Sequence, residues 1–376
     1  MGFELNASPV PRASPPASRL VPPLLAWFAV HARDLPWRRT LDPYAIWISE
    51  IMLQQTQVKT VIPYWERWLH ALPDVRALAA APEDRVLKLW EGLGYYTRAR
   101  NLQKAARLIV TEHAGQFPCD FPAILALPGI GRYTAGAIAS IAFNQPAPLL
   151  DGNVIRVLTR LFALPGDPKE KQLNERLWKL AEELGVVAAG VADSNVQIPH
   201  SAGACSALNQ ALMELGATLC TPRAPTCSEC PLAKQCRAHQ TGRSEEFPQS
   251  KMRTAATERR FVVAVLERDG KFLVRQRPAR VVNAGLWEFP NEELADPEAD
   301  ARSAVVSWLH LSKGKLLPLK PVKHAITRYR ITLEIFRADV GKKRLSIEAG
   351  ATWADPATLD HLAFTGAHRR IVRQFA

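Results

Sequence analysis

The chain has 376 residues, more than one hydrophobic core normally fills, so we expect two or three domains. Apolar residues make up 47% of it but form no run of eighteen, so we expect no membrane-spanning segment. The N-terminus lacks a basic segment followed by an apolar one, so no secretory signal is expected. The net charge of +12 is concentrated in the last third of the chain, which favours a polyanionic partner, nucleic acid ahead of acidic lipid.

A short tail and a long helical region open the chain. Residues 1–19 are rich in Pro, Ser and Ala and carry little bulky apolar matter, which predicts disorder. From residue 20 to about residue 216, apolar residues recur at helical spacing. Residues 191–207 interrupt this pattern with a polar, irregular stretch that contains Cys205, and we expect a loop between two helices there.

A glycine-containing turn joins two predicted helices near residue 130. The apolar stretch 121–127 predicts a helix that ends at Pro128-Gly129, and a second helix begins near Arg132. Gly129 and Gly131 let bare backbone approach a partner, and the free N–H groups of the second helix favour an anion, so the turn suits a clamp for DNA phosphates. Taken alone, however, a turn of this kind between helices is more often structural.

An acidic residue stands in an unusual place shortly after this turn. Asp151 follows the apolar pair Leu149-Leu150 and precedes Gly152-Asn153. A carboxylate in that position is poorly placed for packing. It either caps the N-terminus of a helix or serves a functional site, and the two roles can coexist.

Four cysteines form a compact group in the middle of the chain. Cys220, Cys227, Cys230 and Cys236 have the spacing C-x6-C-x2-C-x5-C. One short loop that supplies every thiolate suits a [4Fe–4S] cluster, whereas structural zinc usually takes two separated pairs and is the alternative. Because so few cysteines lie elsewhere, a disulfide scaffold is not expected, and we predict a reducing cytoplasm.

The period of the pattern changes after residue 258. Residues 239–258 are polar and predict a linker. Strand-like runs at 261–266 and 271–275 flank Asp269-Gly270, which predicts a β-hairpin with a type I′ turn. A further alternating strand is expected at 329–338 and a helix at 299–311. The C-terminal region is therefore predicted to be a smaller, basic α+β domain.

Together these motifs resemble the endonuclease III superfamily of helix-hairpin-helix DNA glycosylases, and within it adenine glycosylases of the MutY type. The likeness rests on stretches that share motifs with the family: Asp34–Arg38, Trp47–Gln57, Gly92–Asn101, Asp151–Asn153 and the cysteine loop. The segment Gly285–Pro290 resembles the family's Nudix-like module.

The resemblance implies a fold class, a mainly α helix-hairpin-helix glycosylase domain with an Fe–S cluster loop, followed by a C-terminal α+β Nudix-like domain. The implied boundaries are a glycosylase domain at 20–238, with the helix-hairpin-helix at 121–144 and the four-cysteine loop at 220–236. A linker at 239–258 and a Nudix-like, 8-oxoguanine- and DNA-binding domain at 259–376 complete the chain.

The implied activity is that of a monofunctional DNA glycosylase of base excision repair. It would remove adenine opposite 8-oxoguanine or guanine in double-stranded DNA and so prevent G·C to T·A mutation. The implied cofactor is a [4Fe–4S] cluster held by the four cysteines. We expect a monomer in the cytoplasm of a bacterium, associated with the nucleoid and not with a membrane.

Family roles carry over to individual residues of this sequence. Glu50 matches the general acid, and its apolar neighbours would raise its pKa so that it holds a proton near neutral pH. Asp151 matches the carboxylate that stabilises the sugar cation, and Tyr133 and Asn153 match residues beside it. Lyases of the superfamily carry a lysine where this chain has Tyr133, and tyrosine forms no imine, which predicts a monofunctional enzyme.

The expected contacts to DNA involve a second set of residues: Arg38 and Leu53 in the adenine pocket, Gln55 and Tyr95 pushed into the duplex, and Gly129 and Gly131 at the backbone. The family's Phe-Ser-His recognition loop is replaced by Ile326-Thr327-Arg328, where Thr327 keeps a hydroxyl for 8-oxoguanine. The glutamate cluster of Nudix hydrolases is missing, so no pyrophosphatase activity is expected. Two alternatives remain, an endonuclease III-like enzyme acting on oxidised pyrimidines and a non-catalytic Fe–S protein that binds DNA or senses redox state.

Overall fold

The computed structural model describes residues 15–191, 201–249, 255–296, 298–310, 316–326, 328–341 and 350–375. The chain divides into two compact units, and neither is a continuous stretch. The first unit comprises residues 1–65 and 116–251, and the second comprises residues 66–115 and 252–376. The grouping of residues 66–115 with the C-terminal residues was not anticipated from the sequence, which predicted one helical domain over 20–238.

Helices dominate the described residues before the linker. In chain order they are α1 Val21–His31, α2 Pro43–Leu53, α3 Val58–Ala71, α4 Val75–Ala80, α5 Glu83–Leu89, α6 Thr97–Glu112, α7 Phe121–Ala126, α8 Arg132–Phe143, α9 Gly152–Leu161, α10 Lys171–Ala189, α11 Ala204–Thr218 and α12 Arg237–Gln240. Helices α4 to α6 lie in the second unit, α3 crosses the boundary, and the others belong to the first. Among the described residues, no helix is both long and apolar enough to span a membrane.

The core of the first unit is built around α11, which packs against α1, α8, α9 and α10. Leu208, Leu212 and Leu215 are among its many buried residues, because four helices pack against it. Cys205 was predicted to lie in a loop. That prediction was wrong, because Cys205 is buried in the first turn of α11, while residues 192–200 lie outside the described part of the chain.

The predicted disordered tail extends too far toward the first helix. Residues 17–19 form a short 3-10 turn, and the adjoining Leu20 is only 1% exposed. Burial of Leu20 and Val21 in the core ties the preceding turn to α1, so residues 17–19 are ordered and the predicted boundary at residue 19 was wrong. Residues 1–14 lie outside the described residues.

The C-terminal part of the second unit is a mixed sheet with helices. Its elements are β1 Thr257–Arg268, β2 Lys271–Gln276, β3 Trp287–Glu288, β4 Asn291–Glu293, α13 Ala301–Leu309, β5 Leu317–Ile326, β6 Tyr329–Asp339, β7 Ala351–Ala354, α14 Pro356–His361 and α15 Gly366–Val372. The strand order is β3-β2-β1-β6-β5, β4 pairs with β1, and β7 pairs with β2. β1 and β6 run parallel, and the other pairs are antiparallel.

The local predictions for this sheet are confirmed. β1 and β2 form the expected hairpin, in which Asp269 and Gly270 both have positive φ, as a type I′ turn requires. The alternating stretch at 329–338 is β6, and the predicted helix at 299–311 is α13. Apolar side chains cover both faces of β1, since Val263 and Val265 belong to one cluster and Val262 and Ala264 to another.

Candidate active site

A cavity of about 500 Å³ lies in the first unit between α2, α8, α9 and α11. The structure brings seven of the residues predicted from the sequence to its wall, and these are Arg38, Glu50, Leu53, Gln55, Tyr133, Asp151 and Asn153. They are contributed by distant parts of the chain, so the fold assembles them. A cavity of this volume is within the range of pockets that enclose small organic groups.

Glu50 lies in α2, whose residues from Tyr44 to Met52 are all buried, and it is only 4% exposed. The helix begins at Pro43, where the Asp42 carboxylate accepts hydrogen bonds from two backbone N–H groups. The Tyr133 hydroxyl donates to Glu50 Oε2 at 2.6 Å. Burial raises the pKa of Glu50 from its ordinary value to about 7, Tyr133 lowers it, and the negative charge of Asp151 raises it further.

Asp151 caps the N-terminus of α9, which confirms the first of the two roles predicted for it. Its Oδ1 accepts from the Val154 N–H at 2.7 Å, and its Oδ2 accepts from Asn153 Nδ2 at 2.9 Å. Burial raises the pKa of Asp151, while the hydrogen bonds from Val154 and Asn153 and the positive charge of Arg156 oppose that shift. The cap therefore holds a carboxylate on the cavity wall and helps to keep it ionised.

Glu214 is part of this site, and it was missed in the sequence. It lies on α11, and its side chain is fully buried at the cavity wall. Arg33 donates to Oε1 at 2.6 Å and to Oε2 at 2.8 Å, and Arg38 donates to Oε2 at 2.8 Å. Burial raises the pKa of Glu214, but the two guanidinium groups outweigh it and set that pKa to about 2. The sequence did carry one signal for this residue, because Glu214 is a lone carboxylate within the apolar run of α11.

The acceptor positions of Glu214 are largely occupied by protein donors. The Arg33 backbone N–H also donates to Oε1, at 3.1 Å. The carboxylate therefore orients Arg38 rather than meeting a ligand itself. Arg38 is further fixed by the Phe28 ring, whose centroid lies 5.3 Å from the guanidinium carbon, and by the Arg33 carbonyl.

Two arginines of α9 connect the cavity wall with the cysteine loop. Arg156 donates to Asn153 Oδ1 at 2.8 Å and to the Cys220 carbonyl at 2.7 Å. Arg160, which is only 2% exposed, donates to the carbonyls of Thr221 and Pro222. Its guanidinium also lies 3.4 Å from the Cys220 sulfur.

The four cysteines of the predicted cluster are free thiols in a loop that is partly buried. Burial raises the pKa of Cys230 to about 12, and the charges of the other three cysteines raise it further by smaller amounts. Among the described residues, no group of three or more His, Cys, Asp or Glu side chains is arranged to hold a single metal ion. The role of this loop as a ligand set stays a prediction.

The helix-hairpin-helix forms where the sequence predicts it. α7 ends at Ala126, and α8 begins at Arg132 with Gly131 as its N-cap. Gly129 has a φ of 78°, a conformation that favours glycine, and no atom lies within 4 Å of where a Cβ on Gly131 would stand. The backbone of this turn is therefore open to a partner.

Tyr95, a further predicted residue, does not line this cavity. Tyr95 belongs to the second unit, is 54% exposed and has a φ of 49°. The Arg98 guanidinium lies 5.6 Å from its ring centroid. Thr327 lies outside the described residues, and its neighbour Arg328 donates to the Tyr329 hydroxyl.

Comparison with known proteins gives the family. Residues 48–183 match the model of the HhH-GPD superfamily base excision DNA repair proteins, and residues 261–374 match the NUDIX domain. The adenine DNA glycosylase of Mus musculus is 35% identical over 94% of this chain and 77% of its own length. The chain belongs to the adenine DNA glycosylase family. It is accordingly a DNA glycosylase, a hydrolase of the N-glycosidic bond.

Other relatives of this glycosylase agree with that assignment. The Homo sapiens adenine DNA glycosylase is 34% identical over 94% of this chain and 73% of its own length. A solved thermostable thymine-DNA glycosylase is 28% identical, covers 60% of this chain and 97% of its own, and superposes with a TM-score of 0.50. The predicted fold class, a helical glycosylase domain followed by an α+β Nudix-like domain, is confirmed.

Proposed function

We propose that this glycosylase removes adenine mispaired with 8-oxoguanine or guanine in double-stranded DNA and does not cut the backbone. The single observation that carries the proposal is a buried Glu50 with a pKa of about 7 in one cavity with a hydrogen-bonded Asp151. Two carboxyl groups whose environments separate their pKa values can act as acid and as charged stabiliser. Glycoside cleavage needs both of these functions.

The target adenine must leave the base stack before it can enter the cavity. Unstacking costs a few kcal/mol, which an inserted side chain offsets in part. Gln55, on the cavity wall with a φ of 59°, and the exposed Tyr95 are the proposed wedges. In the cavity, Arg38 and Leu53 would contact the base, and the orientation of Arg38 by Glu214 would fix the polar part of this contact.

Glu50 would act as the general acid. Adenine anion is a poor leaving group, so a ring nitrogen has to gain a proton as the C1′–N9 bond breaks. With its pKa raised to about 7, Glu50 can hold its proton near neutral pH, unlike an ordinary glutamate. The proton passes to the base, and the Tyr133 hydroxyl, which donates to Oε2, then stabilises the glutamate anion that forms.

Asp151 would stabilise the positive charge that remains on the sugar. Its two oxygens are held by Val154 and Asn153, so little reorganisation is needed when the cation forms. Water then adds to C1′ and loses a proton to Glu50, which restores the acid. The products are free adenine and an abasic site, so the reaction uses one water and no other reactant.

The four cysteines would hold a [4Fe–4S] cluster. The donor set fits, since four thiols from one partly buried loop match the ligands of such clusters, and a four-iron cluster separates its thiolates more widely than a single ion does. When bound, the cluster supplies structural bracing and charge, with no redox step in base removal. Arg156 and Arg160 of α9 would fix the loop to that helix through hydrogen bonds to its carbonyls, which do not depend on the reaction.

The iron content tests this part of the proposal. Purified protein is expected to be brown, with broad absorbance in the blue and about four iron atoms per chain. Replacing Cys230 with serine is expected to reduce both, because one thiolate ligand is lost. Colourless protein that holds one equivalent of zinc would contradict the assignment.

A second expected result concerns the chemistry at Tyr133. Borohydride traps an enzyme on DNA when an amine, such as the lysine of the superfamily's lyases, forms an imine with the sugar, and Tyr133 forms none. Incubation of the protein with adenine-containing duplex and borohydride is expected to give no covalent complex. A trapped complex that disappears when a lysine near the cavity is replaced would show a lyase instead.

The pH dependence of excision follows from Glu50. Because its pKa in the folded protein is raised to about 7, the protonated acid predominates below that pH and is lost above it. The single-turnover rate is therefore expected to fall about tenfold for each pH unit well above 7. A rate that stays constant between pH 7 and 9 would exclude Glu50 as the acid.

The central experiment is a search for released free base. Duplexes that contain 8-oxoguanine·A, G·A or T·A pairs are incubated with the protein, and the liberated base is identified. Adenine is expected from the first two and not from the third. Release from oxidised pyrimidines alone, or tight binding without release, would favour one of the two alternative functions. Thr327→Ala is expected to reduce the preference for 8-oxoguanine over guanine.

A further inference from the structure

The turn that presents Tyr95 is bound to the C-terminal residues of the second unit. It lies between α5 and α6, and Gly92, Gly94 and Tyr95 all have positive φ. Residues that flank the turn hold its backbone in part, since Trp90 Nε1 and Arg98 both donate to the Gly94 carbonyl. These bonds fix the backbone of the turn and leave the Tyr95 ring exposed.

Glu91 fixes the start of this turn to residues 362–369. Its Oε1 accepts from the Phe364 N–H at 2.8 Å and from Arg369 Nε at 2.9 Å. Its Oε2 accepts from Lys88 Nζ at 2.8 Å, and the same ammonium donates to the Leu362 carbonyl at 3.1 Å. The Glu91 and Arg369 side chains are only 12% and 10% exposed, so water screens their ion pair weakly.

Arg369, the ion-pair partner of Glu91, is itself fixed to the segment before α15. Its Nη2 donates to the Leu362 carbonyl at 2.6 Å and to the Leu359 carbonyl at 3.1 Å. The guanidinium carbon lies 5.0 Å from the Phe364 ring centroid. One guanidinium therefore fixes the segment before α15 through Nη2 and points its Nε–H at Glu91.

The end of the turn is bound to the same segment. The Tyr96 hydroxyl donates to the Phe364 carbonyl at 3.3 Å and accepts from the Gly92 N–H at 3.3 Å. Further along α6, Arg100 donates to the Ala284 carbonyl. The residues on each side of Tyr95 thus contact a segment about 270 residues away in sequence.

We propose that Glu91 and Arg369 are positioning residues through which the C-terminal part of the second unit sets the placement of Tyr95 in DNA. This inference rests on the proposed function of Tyr95 as a wedge. A wedge offsets unstacking only if its backbone resists displacement by the duplex. Gly92 and Gly94 make this turn conformationally permissive, and Tyr95 itself has positive φ, so contacts from outside the turn add to its resistance. The contacts of Glu91 at one end and Tyr96 at the other supply them.

The test measures wedge insertion and excision separately. Insertion is followed in the Glu50→Gln background by the fluorescence of 2-aminopurine placed beside 8-oxoguanine, which rises when the base is unstacked. Excision is followed at single turnover on an 8-oxoguanine·A duplex and on a duplex with adenine opposite an abasic site, where less unstacking is required. Tyr95→Ala sets the value expected when no wedge is inserted.

Arg369→Ala is expected to lose most of the fluorescence rise and to slow excision from the 8-oxoguanine·A duplex by about tenfold or more. Excision opposite the abasic site is expected to change less than about threefold, because that substrate depends less on the wedge. Arg369→Lys keeps the charge and a single donor nitrogen in place of three, and should restore part of the signal. It also serves as the second variant if Arg369→Ala yields little folded protein.

Arg260→Ala is the matched control. It removes an arginine of the same unit. Arg260 lies on β1 and its partner Glu334 on the neighbouring strand β6, so the pair belongs to the sheet and not to the turn. Its insertion signal should match that of the parent protein. Equal loss of excision on both substrates by Arg369→Ala, or an unchanged fluorescence rise where Tyr95→Ala abolishes it, would overturn the positioning role alone. Absence of adenine release by the wild-type protein would instead refute the proposed function.

Discussion

Replacing Glu50 with glutamine is expected to lower the single-turnover rate of adenine release by about 10³-fold or more and to leave DNA binding intact. Glutamine keeps the shape of the side chain and an oxygen that can accept from the Tyr133 hydroxyl, so the cavity should keep its form. It cannot release a proton. The loss therefore measures the acid role rather than a disturbed fold, and gel-shift titration with an 8-oxoguanine·A duplex gives the binding.

Glu182→Gln is the matched control for this change. Glu182 is an exposed residue of α10, and its replacement removes the same charge at a site outside the cavity. The control should excise adenine at the wild-type rate. If Glu50→Gln also retains a rate within about tenfold of the wild type, another group donates the proton and the proposed mechanism is wrong.

The same replacement is expected to stabilise the fold at alkaline pH. Because the folded protein raises the pKa of Glu50 from 4.5 to about 7, it binds this proton more tightly than the unfolded chain does, and stability falls as pH rises through that window. Above pH 7 the buried anion costs the native state up to about 3 kcal/mol. Urea unfolding at pH 8 should show Glu50→Gln to be more stable than wild type by some part of this amount.

The local features of the fold were predictable, because each depends on neighbouring residues. The turn at Gly129 and the hairpin at Asp269-Gly270 are set by residues that adopt positive φ, and both were predicted from short patterns. The helical spacing of apolar residues predicted the helical region, and the alternation of apolar and polar residues predicted β6. Errors occurred at borders such as that of Cys205, where burial in α11 extends the helix into a polar stretch.

The site itself could be predicted only in part. Glu50, Tyr133 and Asp151 lie on different helices, and it was the family resemblance, not any local pattern, that linked them. Glu214 was missed because the reason for its burial, a double contact with Arg33 and Arg38 about 180 positions away, is not visible in a local window. The binding of the Tyr95 turn to residues 362–369 is equally non-local.

Asp151→Asn is expected to reduce excision by about 10² to 10³-fold without unfolding the protein. Asparagine is as good an N-cap as aspartate, so its side-chain oxygen can still accept from the Val154 N–H and α9 should be retained. The negative charge is lost, and with it the stabilisation of the sugar cation. Asp355→Asn makes the same replacement at the N-cap of α14, where the carboxylate accepts from Thr358, and should leave excision unchanged.

A second consequence separates the charge of Asp151 from its capping role. Its negative charge raises the pKa of Glu50, so Asp151→Asn should lower that pKa and move the alkaline fall in excision to lower pH. The residual activity of the variant, measured between pH 5 and 9, gives this shift directly. An unshifted profile together with a wild-type rate would mean that Asp151 only caps α9 and that the cation is stabilised by another group.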